Sequence, residues 1–181
     1  MQADRLYSDM ARFCKNALNR AITKSARLQR QLIREQYALP NKTLRRYTKI
    51  KRASTDVLEA TIRNATYGLS LNNFKRLERR GGVLVKLSRN RHIFIQGGFL
   101  AAKQGSSKQR NKGFLYTRQP QNFAGLNVKA GTLRSYVHQR APKSAQVYRY
   151  ATQPYSQIAR SINHVLLPET HTIFAQELAR E

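Results

Sequence analysis

The feature that most constrains how this sequence can fold is an unbroken helical pattern from about Ala3 to Tyr37. At 100° per residue, its apolar and small residues fall within one narrow arc, and basic and polar residues fill the opposite side. The arc contains Met10, Cys14, Ala17, Ala21, Leu28 and Leu32, and the opposite side contains Arg12, Asn16, Asn19, Arg20, Thr23, Arg27 and Arg30. A helix of this length extends roughly 50 Å.

The polar side of this helix has no local balancing charge. Seven Lys or Arg lie between Asp9 and Glu35, and no acidic residue lies among them. Pairs of opposite charge four residues apart usually stabilise an exposed helix face. Two interpretations stay open: an amphipathic helix with a solvated face, and a core helix whose outer side meets an acidic partner. The missing carboxylates favour the second interpretation.

The charge of the whole chain points in the same direction. The sequence has 34 Lys and Arg against 9 Asp and Glu, which gives a net charge of +25. From Arg79 to Pro168, both included, there is no acidic residue, although this interval holds sixteen Lys or Arg. Such self-repulsion is costly unless a polyanion or an acidic protein neighbour neutralises it. Nucleic acid is the default partner, through phosphate contacts and counterion release, and an acidic protein surface is the main alternative.

Two segments concentrate the positive charge. Lys42 to Arg52 carries six basic residues in eleven, and Tyr47 and Ile50 among them indicate an ordered, ligand-facing patch rather than a solvated loop. Lys103 to Gly113 has four basic residues with Gly and Ser and no apolar residue, which is typical of a loop. The residues predicted to contact nucleic acid or acidic neighbours are Arg45, Arg46, Lys49, Lys51, Arg52, Arg89, Arg91, Lys103, Lys108, Arg110 and Lys112.

The remaining patterns predict an α+β fold with a central, mainly antiparallel sheet and extended basic loops, all in one domain over residues 1–181. Alternation of apolar and polar residues predicts strands at 58–62, 83–87, 92–96 and 114–117, with another at 145–150. Residues 72–79 are predicted to form a helical turn, and residues 119–150 an irregular excursion. Pro168 suits the first turn of a C-terminal helix over 167–180.

The sequence carries no recognisable catalytic, metal or cofactor motif. The histidines have no metal-ligand spacing and no Cys partners, and the only close carboxylate pair in the middle of the chain is Asp56 and Glu59. The histidines are His92, His138, His164 and His171. We therefore expect no enzyme activity, no catalytic residue, no metal and no cofactor.

Cysteine use and hydropathy indicate the setting in which the protein works. Cys14 is the single Cys, and its place on the apolar arc predicts a buried thiol. The N-terminus lacks the apolar core of a signal peptide, and no apolar run reaches membrane-spanning length. These features predict a protein used in a reducing, soluble setting without membrane contact.

The order of these elements resembles the minor tail protein Z family of long-tailed bacteriophages, also described as tail completion proteins. The resemblance covers residues 10 to 118, and the stretch from Gln119 to Tyr150 departs from the family pattern. None of the matching motifs is catalytic, and the resemblance depends on their order together with the basicity of the chain. The matching residues are Ala17-Leu18-Asn19-Arg20-Ala21, Leu44 to Ala53, Leu58 to Ile62, Leu71 to Phe74, Gly81-Gly82-Val83 with Val85, Gly98-Phe99-Leu100-Ala101 and Phe114 to Arg118.

The resemblance implies a structural virion protein that completes the head-proximal end of the tail and joins it to the neck around the DNA channel. It implies a homo-oligomeric ring, commonly sixfold, with tail terminator, tail tube or neck proteins as neighbours. Phage DNA in the channel would be attracted through its backbone and not read by its bases. The protein would be found in the virion, and in the host cytoplasm during assembly.

A function of a different class also stays open. The same charge balance fits a free basic nucleic-acid-binding protein, such as a packaging or ribosome-associated factor. Such a protein would bind DNA as a monomer and lose affinity steeply as salt rises.

Overall fold

A computed structural model of the chain describes residues 2–101, 114–121, 123, 128–132 and 148–180. The helices are α1 (Gln2–Gln36), α2 (Asn41–Tyr47), α3 (Tyr155–Ser161) and α4 (Asn163–Leu178), with a 3-10 turn at Leu71–Asn73. The strands are β1 (Thr48–Lys51), β2 (Thr61–Asn64), β3 (Gly68–Ser70), β4 (Lys75–Arg79), β5 (Gly82–Lys86), β6 (His92–Gln96), β7 (Gly98–Ala101), β8 (Phe114–Thr117), β9 (Lys129–Thr132) and β10 (Tyr148–Pro154). The predicted α+β fold is confirmed, with antiparallel strand pairing throughout the described sheets.

The fold divides into two compact units. The first unit comprises Met1–Arg34, Asn41–Thr66 and Tyr155–Glu181, and the second comprises Glu35–Pro40 and Tyr67–Pro154. This division does not test whether either unit folds alone, so the single domain stays a prediction.

The long first helix is confirmed, but its buried side differs from the predicted arc. Met10 is 57% exposed and Cys14 is only partly buried, so the predicted buried thiol is wrong. From Arg5 to Met10 every side chain is exposed, so no element in the described part of the chain covers the start of α1. The side chains that α1 does bury are mostly small: Ala11, Ala17, Ala21, Ser25, Ala26, Gln29 and Ile33.

In the first unit, α2, β1 and α3 meet around Tyr155. This residue is fully buried at the start of α3, and its hydroxyl lies 3.0 Å from the Thr48 hydroxyl on β1. Its ring also contacts the ring of Tyr47, with centroids 5.5 Å apart. Burial raises the pKa of Tyr155, and the Thr48 hydrogen bond opposes that shift. The side chain of Leu44 on α2 is also completely buried.

The strand of the first unit that was predicted at 58–62 is displaced. The observed strand β2 pairs with β1 from Thr48↔Asn64 to Lys51↔Thr61. The neighbouring strand is only four residues long, so it offers no partner to Leu58, which is 45% exposed. The alternation of residues 58–62 was real, but pairing fixed the strand three residues later.

The C-terminal helix begins earlier than predicted. It starts at Asn163, where the amide of Leu166 donates to the Ile162 carbonyl at 2.9 Å, and both of those side chains are buried. Pro168 therefore lies inside the helix rather than in its first turn. Proline has no N–H, so the helix lacks one hydrogen bond there. The boundary 167–180 was wrong because the burial of residues 162 and 166 extends the helix toward its start.

In the second unit, β4, β5 and β6 form a three-stranded antiparallel sheet. Val83, Val85, Ile93 and Ile95 are buried on one face, which confirms the strands predicted at 83–87 and 92–96. The helical turn predicted at 72–79 is wrong. Only a short 3-10 turn forms there, and residues 75–79 pair with β5. Gly81, with φ of +83°, permits the tight turn that makes this pairing possible.

The other sheet of the second unit has the order β3-β10-β8-β7, with β9 also pairing β10. The strand at 114–117 is confirmed as β8, and the one predicted at 145–150 is displaced to β10. The excursion predicted for 119–150 is irregular only in part where the structure describes it. Residues 119–121 form no helix or strand, but β9 and the first residues of β10 pair within this stretch. Backbone pairing supplied order that side-chain periodicity did not reveal.

Asn72 connects parts of the second unit. Its side-chain oxygen accepts hydrogen bonds from the Leu115 amide of β8 at 2.7 Å and from the Arg76 guanidinium at 2.9 Å. Burial lowers the pKa of Arg76. Arg149 of β10 lies over two aromatic rings, 4.7 Å from the centroid of Phe114 and 5.1 Å from that of Tyr116.

We expect Asn72→Ala to lower the free energy of unfolding by about 1–3 kcal/mol, because it removes the side-chain oxygen that accepts from the Leu115 amide and from the Arg76 guanidinium. Urea denaturation measures this change. Asn90→Ala, in an exposed turn, is the matched control and should change stability by less than about 0.5 kcal/mol. Equal effects of the two substitutions would contradict the role given to Asn72.

Candidate nucleic-acid interface

Five predicted contact residues lie on one short stretch of the first unit, and all five are exposed. Arg45 and Arg46 belong to α2, Lys49 and Lys51 to β1, and Arg52 follows that strand. The buried residues decide this placement. Burial of Leu44 in α2 and of Thr48 at the start of β1 leaves the basic side chains on the outside. We call these five residues the α2–β1 cations.

The pairing of β1 with β2 adds another basic side chain. Lys49 lies opposite Arg63, and Lys51 lies opposite Thr61. Because residues directly opposite in an antiparallel pair share a face, Lys49, Lys51 and Arg63 form one cationic face. Like charges placed opposite each other destabilise a strand pair, so this face gains stability when an anion lies against it. Arg63 was missed because its partner strand could not be inferred from the sequence.

The outer side of α1 continues this basic surface. Burial lowers the pKa of Arg30, and the charge of Arg45 on α2 contributes in the same direction. Arg30 on α1 is therefore near enough to Arg45 for their like charges to repel each other. Arg30 was assigned to the polar side of the helix from its spacing, but its neighbour on α2 could not be predicted.

A separate basic cluster in the first unit surrounds Glu177 of α4. This carboxylate is 1% exposed and accepts from Arg20 Nε at 2.8 Å, from Lys24 Nζ and from a guanidinium nitrogen of Arg180 at 3.1 Å. The Lys24 hydrogen bond lowers the pKa of Glu177, against the opposing effect of burial, and Arg20 lowers it further. The sequence placed Arg20 on the outward side of α1, but the structure gives it a carboxylate partner in the chain.

The other predicted contacts have different positions. Arg89 and Arg91 are exposed in the turn between β5 and β6, and they belong to the second unit. The Arg91 carbonyl accepts from the Leu87 amide at 2.9 Å, and the Ser88 hydroxyl accepts from the Arg91 amide. Lys103, Lys108, Arg110 and Lys112 lie outside the described residues.

Among the residues that the structure describes, no group of three or more His, Cys, Asp or Glu side chains could hold a metal ion. None of the helices described there is both long and apolar enough to cross a membrane. The expectation that the chain is not an enzyme stays a prediction.

Comparison of the chain with protein-family models, with curated proteins and with solved structures gives no match. Its function must therefore be inferred from its own residues and their arrangement.

The stabilisation of the fold by Glu177 should depend on pH. Because the folded state lowers the pKa of Glu177 below its ordinary value of 4.5, the stabilisation is complete above that pH. It is lost as the pH falls through the lower, folded-state pKa. Glu177→Gln should reduce Tm at pH 7, where it leaves three cations around a neutral group, and the difference from the natural chain should shrink below pH 4.5.

Differential scanning calorimetry across this pH range measures the effect. Glu169→Gln, an exposed carboxylate on the same helix, is the matched control. If both substitutions gave the same pH profile, the stabilising role of the Glu177 cluster would be rejected.

Proposed function

We propose that this chain is a structural virion protein of a tailed bacteriophage, which completes the head-proximal end of the tail and joins it to the neck around the DNA channel. The observation that carries the proposal is the exposed group of α2–β1 cations, none of which forms an ion pair in the part of the chain that the structure describes. An extended cationic surface of this kind suits a permanent position beside the DNA backbone. The finer assignment to the tail depends on the family resemblance.

The chemistry expected at this surface is electrostatic attraction without base recognition. The α2–β1 cations are long and exposed, and they lie on a short helix and a two-stranded ribbon. Phosphate contacts from such residues position DNA but carry no sequence information. A channel protein needs this property because the whole genome must pass it regardless of sequence.

The start of α1 supports an assembled state over an isolated one. Leu6, Tyr7 and Met10 are 64%, 77% and 57% exposed, and they lie within two turns of one helix. Contiguous exposed apolar side chains commonly mark a surface that another protein covers. In a homo-oligomeric ring, or against a tail terminator, tail tube or neck protein, a neighbouring subunit would cover them.

A free basic nucleic-acid-binding protein is the second candidate. The cationic face of Lys49, Lys51 and Arg63 supports this candidate equally. An anion that lies against that face stabilises it whether or not the chain forms a ring. The two candidates differ in what the chain does by itself. The virion protein binds DNA weakly until it is assembled, whereas the free binder holds DNA as a monomer.

If the α2–β1 cations contact DNA phosphates, their removal should weaken the salt dependence of DNA binding. Replacing Arg45, Arg46, Lys49 and Lys51 by Gln should reduce the slope of log affinity for duplex DNA against log salt by roughly 0.9 for each lost phosphate contact. Fluorescence anisotropy at several salt concentrations measures this slope. The matched control replaces Lys75, Arg79, Arg80 and Arg118, exposed cations of the second unit, by Gln. An equal change in the control would show that only total charge matters.

The proposed function also predicts where the chain lies in the phage particle. Cryo-electron microscopy of virions should find this chain as a ring at the head-proximal end of the tail. Tails made without it should fail to join heads, and supplying the chain should restore joining. Normal infectious particles that lack the chain would reject the proposal and leave the free binder as the better candidate.

A further inference from the structure

An open cavity of about 540 Å³ in the first unit shares only Arg52 with the α2–β1 cations on which the proposed function depends. Five cations and one carboxylate line it, together with three neutral polar side chains, so its lining carries a large excess of positive charge. The lining residues are Asn16, Asn19, Arg20, Thr23, Lys24, Arg27, Arg52, Glu177 and Arg180.

The carboxylate in this cavity cannot neutralise the cations around it. Glu177 already accepts from Arg20, Lys24 and Arg180, and one negative charge faces these three positive ones. Arg27 and Arg52 also border the cavity, and neither has an ion pair within the part of the chain that the structure describes. The cavity therefore holds cations whose charge the described protein does not balance.

The position of Arg52 is fixed by its neighbour in the chain. The side chain of Asn19 on α1 accepts from the Ala53 amide at 2.9 Å and donates to the Ala53 carbonyl at 3.0 Å. These two bonds hold the segment after β1 against α1, and Ala53 itself is buried. Arg52 is therefore held at the edge of the cavity by a backbone contact, and not by a carboxylate that would occupy its guanidinium.

We propose that this cavity is a phosphate-binding site. Its donors come from α1, from the segment after β1 and from Arg180 beyond α4, so three separate parts of the chain supply them. A tetrahedral phosphate presents oxygens in several directions, whereas a carboxylate presents only two in one plane. Guanidinium groups match phosphate oxygens through paired hydrogen bonds. The phosphate can belong to a nucleic-acid backbone or to a small free phosphate compound.

This site does not depend on the proposed function. A phosphate site in the first unit would serve a virion protein and a free binder alike, and it uses only Arg52 of the α2–β1 cations. Failure of the phosphate test would leave the tail assignment in place. Absence of the chain from virions would leave the phosphate site in place.

The test uses the full chain and the double substitution Arg27→Gln with Arg52→Gln. Both side chains are exposed and form no ion pair in the described residues, so their loss should leave the unfolding curve unchanged. Isothermal titration calorimetry with sodium pyrophosphate at constant ionic strength should show at least about a tenfold loss of affinity, since charge-assisted hydrogen bonds to phosphate are lost. The matched control replaces Arg34 and Arg160, exposed cations of the same unit, by Gln and should lose less than about twofold.

Two further ligands identify the source of the phosphate. A single-stranded oligonucleotide that binds where pyrophosphate does not would assign the site to a nucleic-acid backbone, and the reverse would assign it to a small phosphate compound. A hexaglutamate peptide that binds as tightly as the better of these ligands, and competes with it, would overturn the proposal in favour of an acidic protein segment. Equal losses of affinity in the test and control variants would also overturn it.

A measurement on the natural chain keeps the test independent of folding. In NMR spectra, the Nε–Hε signals of Arg27 and Arg52 should shift when pyrophosphate or the oligonucleotide saturates the chain. The signals of Arg34 and Arg160 should stay in place. If neither Arg27 nor Arg52 responds to either ligand, the cavity is not a phosphate site.

Discussion

Repulsion among basic side chains is the constraint under which this fold holds together. With 34 Lys and Arg against 9 Asp and Glu, most cations cannot have a carboxylate of their own. The first unit uses Glu177 where α1 and α4 meet, and shares it among Arg20, Lys24 and Arg180. Three cations are thereby held at one buried carboxylate. The α2–β1 cations are instead exposed, where water and salt reduce their mutual repulsion.

The second unit holds two partly buried arginines against neutral groups. The Arg76 guanidinium donates to the amide oxygen of Asn72, and Arg149 donates to the Tyr116 hydroxyl at 2.8 Å while lying over aromatic rings. Amide oxygens and ring faces attract a cation without adding a negative charge. These contacts therefore leave the positive field of the described part of this unit in place. Both units present to their surroundings a charge that nothing inside the chain cancels.

The parts of the fold that were predicted from sequence are those with a strong local period. The helix over residues 2–36 follows a 3.6-residue repeat, and the strands at 83–87 and 92–96 alternate apolar and polar residues. The strand at Lys75–Arg79 was missed because Leu77 is its only apolar residue, and that side chain is 46% exposed. Its structure comes from pairing with β5, which no local pattern records. The start of the C-terminal helix was also predicted wrongly, from Pro168. Burial of Ile162 and Leu166 stabilises a helix that begins at Asn163, although Pro168 inside it cannot donate a backbone hydrogen bond.

The candidate site was predictable to the same extent. The density of Lys and Arg between Lys42 and Arg52 identified an exposed basic surface before any geometry was known. The cavity could not be found in that way, because Arg20 and Glu177 are separated by 157 residues. Asn19, which holds Ala53 against α1, looked like one more polar residue on a helix. Long-range contacts of this kind carry no signature in the spacing of a single sequence.

The small residues along the buried side of α1 have a consequence for how the chain can vary. Ala17 and Ala26 are completely covered, and Ala21 and Ser25 lie between them. Side chains this short bring a helix backbone close to whatever it packs against, so a larger residue has no space to enter. Because α1 is one continuous helix, a displacement at one of these positions would tilt its full length. These small buried residues of α1 should therefore be among the positions of the chain that least tolerate a larger side chain.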